Sequence, residues 1–182
     1  MRRIVASLFV SVDEVMESPE TWAFAYSDAE MERANEAGMA ASDAMLLGRK
    51  TYEEFAAYWP YQSRDVPMVD YINTTPKFVV STTLDRVEWQ NSTLIGGNVN
   101  EELTRLKQQP GKDITIIGSA TLVRSLLRDD LLDELRLMIP PVVLGSGRRL
   151  FADEGEQKAL KLVDAETFGT GVLYLTYQPA RA

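Results

Sequence analysis

The segment Ile116-Ile117-Gly118-Ser119-Ala120-Thr121-Leu122-Val123-Arg124-Ser125-Leu126-Leu127 sets out a strand end, a turn and a helix in one short run. Ile114 to Ile117 is brief and apolar, as in a strand buried on both faces. Gly118 closes it, and Ser119 is a residue type that caps helices. Leu122, Val123, Leu126 and Leu127 then recur at helical spacing, which predicts one apolar helix face. The same succession stands at Ala44-Met45-Leu46-Leu47, where Gly48 precedes a helix from Lys50 to Ala57 with Tyr52 and Phe55 on one side. That helix ends before Trp59-Pro60, because the residue preceding proline avoids the helical region. Lys77 to Ser81 reads as a third strand, running into Thr82-Thr83. Strands alternating with helices predict an α/β fold with a parallel sheet.

The rest of the chain fits this pattern. Ile4 to Val10 is a nearly continuous apolar strand, and residues 11–26 are irregular around Pro19. Helices are expected over Asp28 to Ala41, over Val66 to Asn73 from a first turn near Pro67, and over Asn100 to Gln108. A further strand lies near Thr93-Leu94-Ile95, followed by Gly96-Gly97. Beyond it the period changes. Leu135, Leu137 and Ile139 alternate with Glu134, Arg136 and Met138, as in a strand. Pro140-Pro141 interrupts that strand, which is expected to resume at Val142-Val143-Leu144. Residues 159–168 and 172–178 flank Gly169-Thr170-Gly171, a hairpin signal. No linker divides the sequence, so residues 1–182 are read as one domain. The expected architecture has three layers: a mixed, mostly parallel central sheet, helices on both faces, and a C-terminal antiparallel hairpin.

Two zeros in the composition exclude whole chemistries. The 182 residues contain no His and no Cys. Triads built on imidazole, thiol nucleophiles, zinc sites and disulfides are therefore absent. No metal site is expected, and one would have to rest on carboxylates and carbonyls. Acid–base work falls to carboxylates, Lys, Tyr or water. Lys and Arg number 19 against 27 Asp and Glu, a net charge of −8. That balance disfavours nucleic acid as a partner. The N-terminus lacks the apolar core of a signal peptide, and no apolar run reaches the ~20 residues of a membrane span. The expectation is a soluble, cytoplasmic protein with no membrane partner.

Three strand ends share a chemistry suited to phosphate. They are Gly48-Arg49-Lys50-Thr51, Ser81-Thr82-Thr83 and Gly118-Ser119-Ala120-Thr121. In an open α/β sheet, ligands bind beyond the carboxyl ends of the strands. Helix N-termini there offer free N–H groups, glycine admits close approach, and hydroxyls and Arg add donors. One such turn is ordinary punctuation. Three in one chain point to an extended phosphorylated ligand such as a dinucleotide. Neither the Walker motif nor the G-x-G-x-x-G fingerprint occurs, and Gly145-Ser146-Gly147 only imitates the start of the latter.

These residues resemble the dihydrofolate-reductase-like superfamily. The likeness is to stand-alone relatives of the reductase domain of the bifunctional riboflavin-biosynthesis deaminase/reductase. It rests on Ser11-Val12-Asp13, LLGRKTYEEF at 46–55 with Trp59-Pro60, KFVVSTTL at 77–84, IIGSATLVRSLL at 116–127 and LLDELRLMIPPVVLGSGRRLF at 131–151. The resemblance implies NADPH as cofactor and hydride transfer to a small heterocyclic substrate of pterin or ribosylaminopyrimidine type. It assigns Gly48, Arg49 and Thr51 to the cofactor phosphates. It assigns Ser81, Thr82 and Thr83 to the adenosine ribose and its 2′-phosphate. It assigns Gly118, Ser119, Ala120, Thr121 and Leu122 to the pyrophosphate and nicotinamide. It also implies a homodimer.

The sequence departs from these relatives in two places. The first-strand motif usually reads Leu-Asp-Gly and here is Val12-Asp13-Glu14. The riboflavin reductases commonly carry Glu before the glycine of the late turn, and here Ile117 stands there. For catalysis, a water held by Asp13 or Asp28 is the expected proton route, and a turn or cap role competes for both residues. Trp22, Phe24 and Tyr26 either floor a flat substrate or close the core. Arg148-Arg149 either meets a substrate phosphate or is solvated. The leading expectation is a reductase; the alternative is an NADPH-binding or regulatory dimer module without turnover.

Overall fold

The structure, a computed structural model, describes residues 1–151 and 155–180. Eight strands form one sheet: β1 (Ile4–Phe9), β2 (Ser42–Gly48), β3 (Lys77–Val80), β4 (Ser92–Ile95), β5 (Asp113–Ile116), β6 (Glu134–Ile139), β7 (Leu160–Thr167) and β8 (Leu173–Pro179). Their order is β4-β3-β2-β5-β1-β6-β8-β7. The first six run parallel, β8 is antiparallel to β6, and β7 is antiparallel to β8. Among the described residues five α-helices complete the fold: α1 (Ala29–Ala41), α2 (Arg49–Tyr58), α3 (Val69–Thr74), α4 (Val99–Gln108) and α5 (Ala120–Arg128). The mixed sheet with a late hairpin agrees with the sequence reading. Among the described residues no helix is long and apolar enough to cross a membrane.

Strand β2 shows why its sequence is apolar without alternation. Ala44 and Leu46 face one way, against Leu103 and Leu106 of α4 and Val123 and Leu126 of α5. Met45 and Leu47 face the other way, against Tyr52 of α2 and Ile72 of α3. A strand covered on both faces must be apolar at both periods. Full burial of a side chain such as Leu46 contributes about 1.5–3 kcal/mol. A third cluster joins Met31 of α1 to Met138, Phe168 and Val172, so the hairpin turn is packed onto α1.

Three expectations are corrected. The helix read from Val66 begins only at Val69, because Val66 precedes Pro67 and cannot be helical with ease. Met68 enters it in the left-handed region, with φ 69°. Val142–Leu144 does not resume the strand. Pro140 and Pro141 offer no N–H, and the chain turns toward residues 11–16, where the Val12 N–H donates to Val142 O at 2.9 Å. Ser119 stands at the N-cap position of α5, just before Ala120, but its side chain makes no capping bond; its φ is 69°.

Candidate functional site

Strands β2 and β5 are neighbours, yet the chain leaves them in opposite directions. From β2 it moves outward to β3 through α2 and α3; from β5 it crosses β1 to β6 through α5. Right-handed crossovers then put α2 and α5 on opposite faces and leave a crevice between the two strand ends. The N-termini of both helices open into it. The four leading N–H groups of each helix lack intrahelical partners, and the dipole adds partial positive charge.

Two glycines shape the crevice. A Cβ on Gly48 would overlap the Ser119 hydroxyl, and one on Gly118 would lie 3.2 Å from Thr51 Oγ1. Each turn thus fits a hydroxyl of the other turn into the space where a side chain is missing. Gly118 also has φ +95°, a region that favours glycine. Arg49 stands at the first position of α2, half exposed, with long contacts to Glu53 Oε1 at 3.4 Å and Oε2 at 3.5 Å. Ala120 and Leu122 are buried, so they present backbone N–H rather than side chains to the crevice. Thr121 is exposed and receives a 3.4 Å contact from Arg124.

The next strand end adds hydroxyls. Ser81 Oγ accepts from the N–H groups of Thr83 (3.2 Å) and Leu84 (3.1 Å) and so folds the turn. Thr82 and Thr83 are left at the surface. Beside them lies a stretch not counted as part of the site in the sequence: Gly96-Gly97, at the end of β4. A Cβ on Gly96 would lie 3.7 Å from Ser81 O. The signal was the glycine pair after a strand, but only the order β4-β3-β2-β5 shows that its turn continues the same row. The residues present therefore fit a dinucleotide: two helix N-termini, a guanidinium, hydroxyls and a cradle that a Cβ would fill.

The two carboxylates singled out for proton delivery are already engaged. Asp13 accepts from Ser11 Oγ at 2.6 Å, Leu144 N–H at 3.1 Å and Gly145 N–H at 2.8 Å. The Ser11 hydroxyl first, then those two backbone donors, bring its pKa down to about 2. It is an ionised clamp at neutral pH rather than a proton donor. Asp28 is the N-cap of α1, and its Oδ1 accepts from the N–H groups of Glu30 (3.1 Å) and Met31 (2.9 Å). The loops around Asp13 are stitched together: Met16 N–H donates to Arg148 O and Leu150 N–H to Glu14 O, both at 2.9 Å. Glu14, where the resemblance leads to an expectation of glycine, has a left-handed φ of 67°. The aromatic trio divides. Trp22 is buried and donates Nε1–H to Glu17 O at 2.9 Å, while Tyr26 packs with Met31 and Met138. Phe24 stays 56% exposed, edge-on to Phe9 with centroids 5.8 Å apart.

Residues 2–174 match the family model described as the RibD C-terminal domain. The chain belongs to the RibD C-terminal domain family. This RibD C-terminal domain is 36% identical over 138 residues to the uncharacterized protein YyaP of Bacillus subtilis (strain 168), covering 74% of the chain and 73% of YyaP. Its fold is shared with a putative riboflavin biosynthesis protein from Shewanella sp. PV-4, at TM-score 0.79 and 21% identity over all of both chains. It is shared too with the riboflavin biosynthesis reductase Rib7 of Saccharomyces cerevisiae, at TM-score 0.63 and 15% identity, covering 98% of this chain and 90% of Rib7.

Proposed function

We propose that this protein is an NADPH-dependent reductase that transfers a hydride to a small heterocycle of ribosylaminopyrimidine or pterin type. The observation that carries the reading is the meeting of the α2 and α5 N-termini around Gly48 and Gly118. Membership in the RibD C-terminal family and the shared fold with a riboflavin biosynthesis reductase support it. When bound, the reduced nicotinamide would supply the hydride. The chain's own part is to bind and to orient. Arg49, Thr51, Ser119 and the backbone N–H groups of residues 120–122 would hold the phosphates. Ser81, Thr82 and Thr83 would meet the adenosine ribose. Asp13 would fix the 142–149 loop beside the substrate, and Phe24 would offer a flat apolar surface. With Asp13 ionised and no imidazole in the chain, the proton would arrive through water.

Calorimetry with NADPH and NADH tests the binding half. Micromolar-range affinity with preference for NADPH is expected. Arg49→Ala should weaken it by about 1.5–3 kcal/mol, the range for a hydrogen bond to a charged group. No binding of either nucleotide would overturn the proposal. Optical detection of NADPH oxidation across pterins and ribosylaminopyrimidines tests turnover. The second reading, a binding module without turnover, is favoured by the engaged Asp13 and Asp28. It predicts binding without oxidation of any substrate in that panel.

The same proposal includes a homodimer. Strand β7 is an edge strand exposed from Lys161 to Thr167, and Leu162, Val163 and Leu173 are each more than 40% exposed on this hairpin. A second copy related by a two-fold axis would cover this patch with itself. A monomer in light scattering at micromolar concentration would remove that part of the proposal.

A further inference from the structure

Glu14 combines a costly backbone with an idle side chain. Its φ is 67°, in the left-handed region that a glycine occupies without steric penalty. Asn91, Asn98 and Asp130 share that region, but Asn and Asp are the types whose short side chains tolerate it. Glu is not one of them. The conformation is imposed from both sides. The Glu14 N–H donates to Ser11 O, and its carbonyl accepts from the Leu150 N–H, both at 2.9 Å. The next residue, Val15, is buried, and its N–H donates to Ser11 Oγ at 2.9 Å. None of these bonds uses the Glu14 side chain, so a glycine would make them equally well.

The carboxylate itself is exposed and takes part in no hydrogen bond or ion pair among the described residues. Its neighbouring acids are committed. Asp13 uses both oxygens on Ser11, Leu144 and Gly145, and Glu17 meets Lys50 and Arg148. The facing stretch, residues 142–150, contains no acid. Glu14 follows the carboxyl end of β1, the strand beside β5 and its Gly118 turn. Strand ends of that kind are where an open α/β sheet meets its ligands. Backbone strain held in place by its surroundings, with an unused charge at a ligand-facing end, points to recognition rather than to folding.

We propose that Glu14 is a specificity-determining residue of the crevice: its carboxylate accepts hydrogen bonds from an amino group on the heterocyclic substrate and disfavours a ring with oxo groups in that place. This deepens the reductase reading and rests on it. A carboxylate offers acceptors only, so the group it meets must donate. An amine conjugated to a protonated ring nitrogen presents two parallel donors, the geometry in which a carboxylate pairs with a planar cation. The strain at Glu14 is the counterpart of that preference, a loss of stability retained for recognition.

The test is fluorescence titration of the full chain with 2,4-diaminopteridine and, separately, 2,4-dioxopteridine, rings of one size that differ in amino against oxo groups. Each titration is run with saturating NADPH and again without it. The unmodified chain should bind the diamino ring at least about tenfold more tightly, the scale of a hydrogen bond to a charged group. Glu14→Gln and Glu14→Gly should each erase that preference by weakening the diamino ring alone. Glu14→Asp, which keeps the charge, should retain part of it. Glu14→Gly should also raise the urea midpoint, which separates loss of recognition from loss of folding. A preference that survives in Glu14→Gln overturns the proposal. So does an equal loss for both rings, the signature of a structural role, and so does the absence of any preference in the unmodified chain. The titrations without NADPH report on Glu14 even where the nucleotide fails to bind, so failure of the reductase reading and failure of this proposal are read from separate curves.

Discussion

Gly48 and Ser119, on neighbouring strand ends, occupy one space between them: the hydroxyl of the second sits where the first would carry a methyl group. Gly48 has φ −78°, so its backbone alone does not require glycine. Space does. Gly48→Ala should displace Ser119, narrow the crevice and weaken NADPH binding at least about tenfold, since it disturbs a charge-assisted donor set. Ser119→Gly in the same chain should recover part of that loss, and it also relaxes the left-handed φ of 69°. Calorimetry on the two single variants and the double variant decides the matter. Additive effects would show that the two residues are not in conflict.

Glu14 holds a glycine conformation without being glycine. The left-handed region costs a non-glycine residue about 1–2 kcal/mol. Glu14→Gly should therefore stabilise the fold by roughly 0.5–1 kcal/mol, after the larger unfolded-state entropy of glycine is subtracted. Urea unfolding at neutral pH measures this. A destabilised variant would mean that the Glu14 side chain contributes more than its backbone strain removes.

Lys77 is fully buried. Its ammonium donates to the carbonyls of Asn73 (3.0 Å), Thr75 (2.8 Å) and Gln90 (3.3 Å) and lies 4.2 Å from the Trp89 ring centroid. Burial lowers its pKa from 10.5 to about 8. Between those values the unfolded chain binds the proton and the folded chain does not, so this group's contribution to stability rises with pH there. It is fully present above about 10.5 and lost as pH falls through about 8. Unfolding free energies at pH 7 to 10 should show a positive slope that Lys77→Met lacks. Parallel slopes for the two proteins would refute it.

Asp13 should protect the Leu144 and Gly145 amides from hydrogen exchange equally from pH 4 to 8, after correction for intrinsic rates, because its carboxylate is ionised throughout that interval. Its stabilising effect, from a depressed pKa, is present above the ordinary 3.8 and disappears as pH falls through about 2. Asp13→Ala should expose both amides and make the 142–149 loop a site of proteolytic cleavage. Asp13→Asn, which keeps acceptor capacity, should retain part of the protection. Unaltered exchange in Asp13→Ala would show that the loop is held by other contacts.

The layers of this fold are legible because each depends on a local period. The apolar run 44–47 and the helical spacing of Leu122, Val123, Leu126 and Leu127 report directly which side chains are buried. The adjacency of β2 and β5 is not local. The residues between Gly48 and Gly118 contain two other strands and three helices, and nothing in their periodicity states that the two glycines meet. The phosphate-friendly turns were visible as types of residue, whereas the interlock of Gly48 with Ser119 depends on sheet order. Ser119 illustrates the limit well. Its identity suggests a cap, but its neighbour's missing side chain draws it elsewhere. Val142–Leu144 had strand composition, yet the carboxylate of Asp13, 131 positions earlier than Leu144, takes the N–H groups of Leu144 and Gly145.

The stitched loops 11–17 and 142–150 have a consequence for how such a protein can change. Their main-chain bonds run chiefly to each other, through Val12 to Val142, Met16 to Arg148 and Leu150 to Glu14. The turns at Gly48, Ser81 and Gly118, in contrast, grow directly out of the strands. A new specificity would therefore be reached by transplanting both loops as a pair, with Asp13 included. Either loop grafted alone would arrive without its counterpart and leave the row of strand-end turns intact but the other wall unmade.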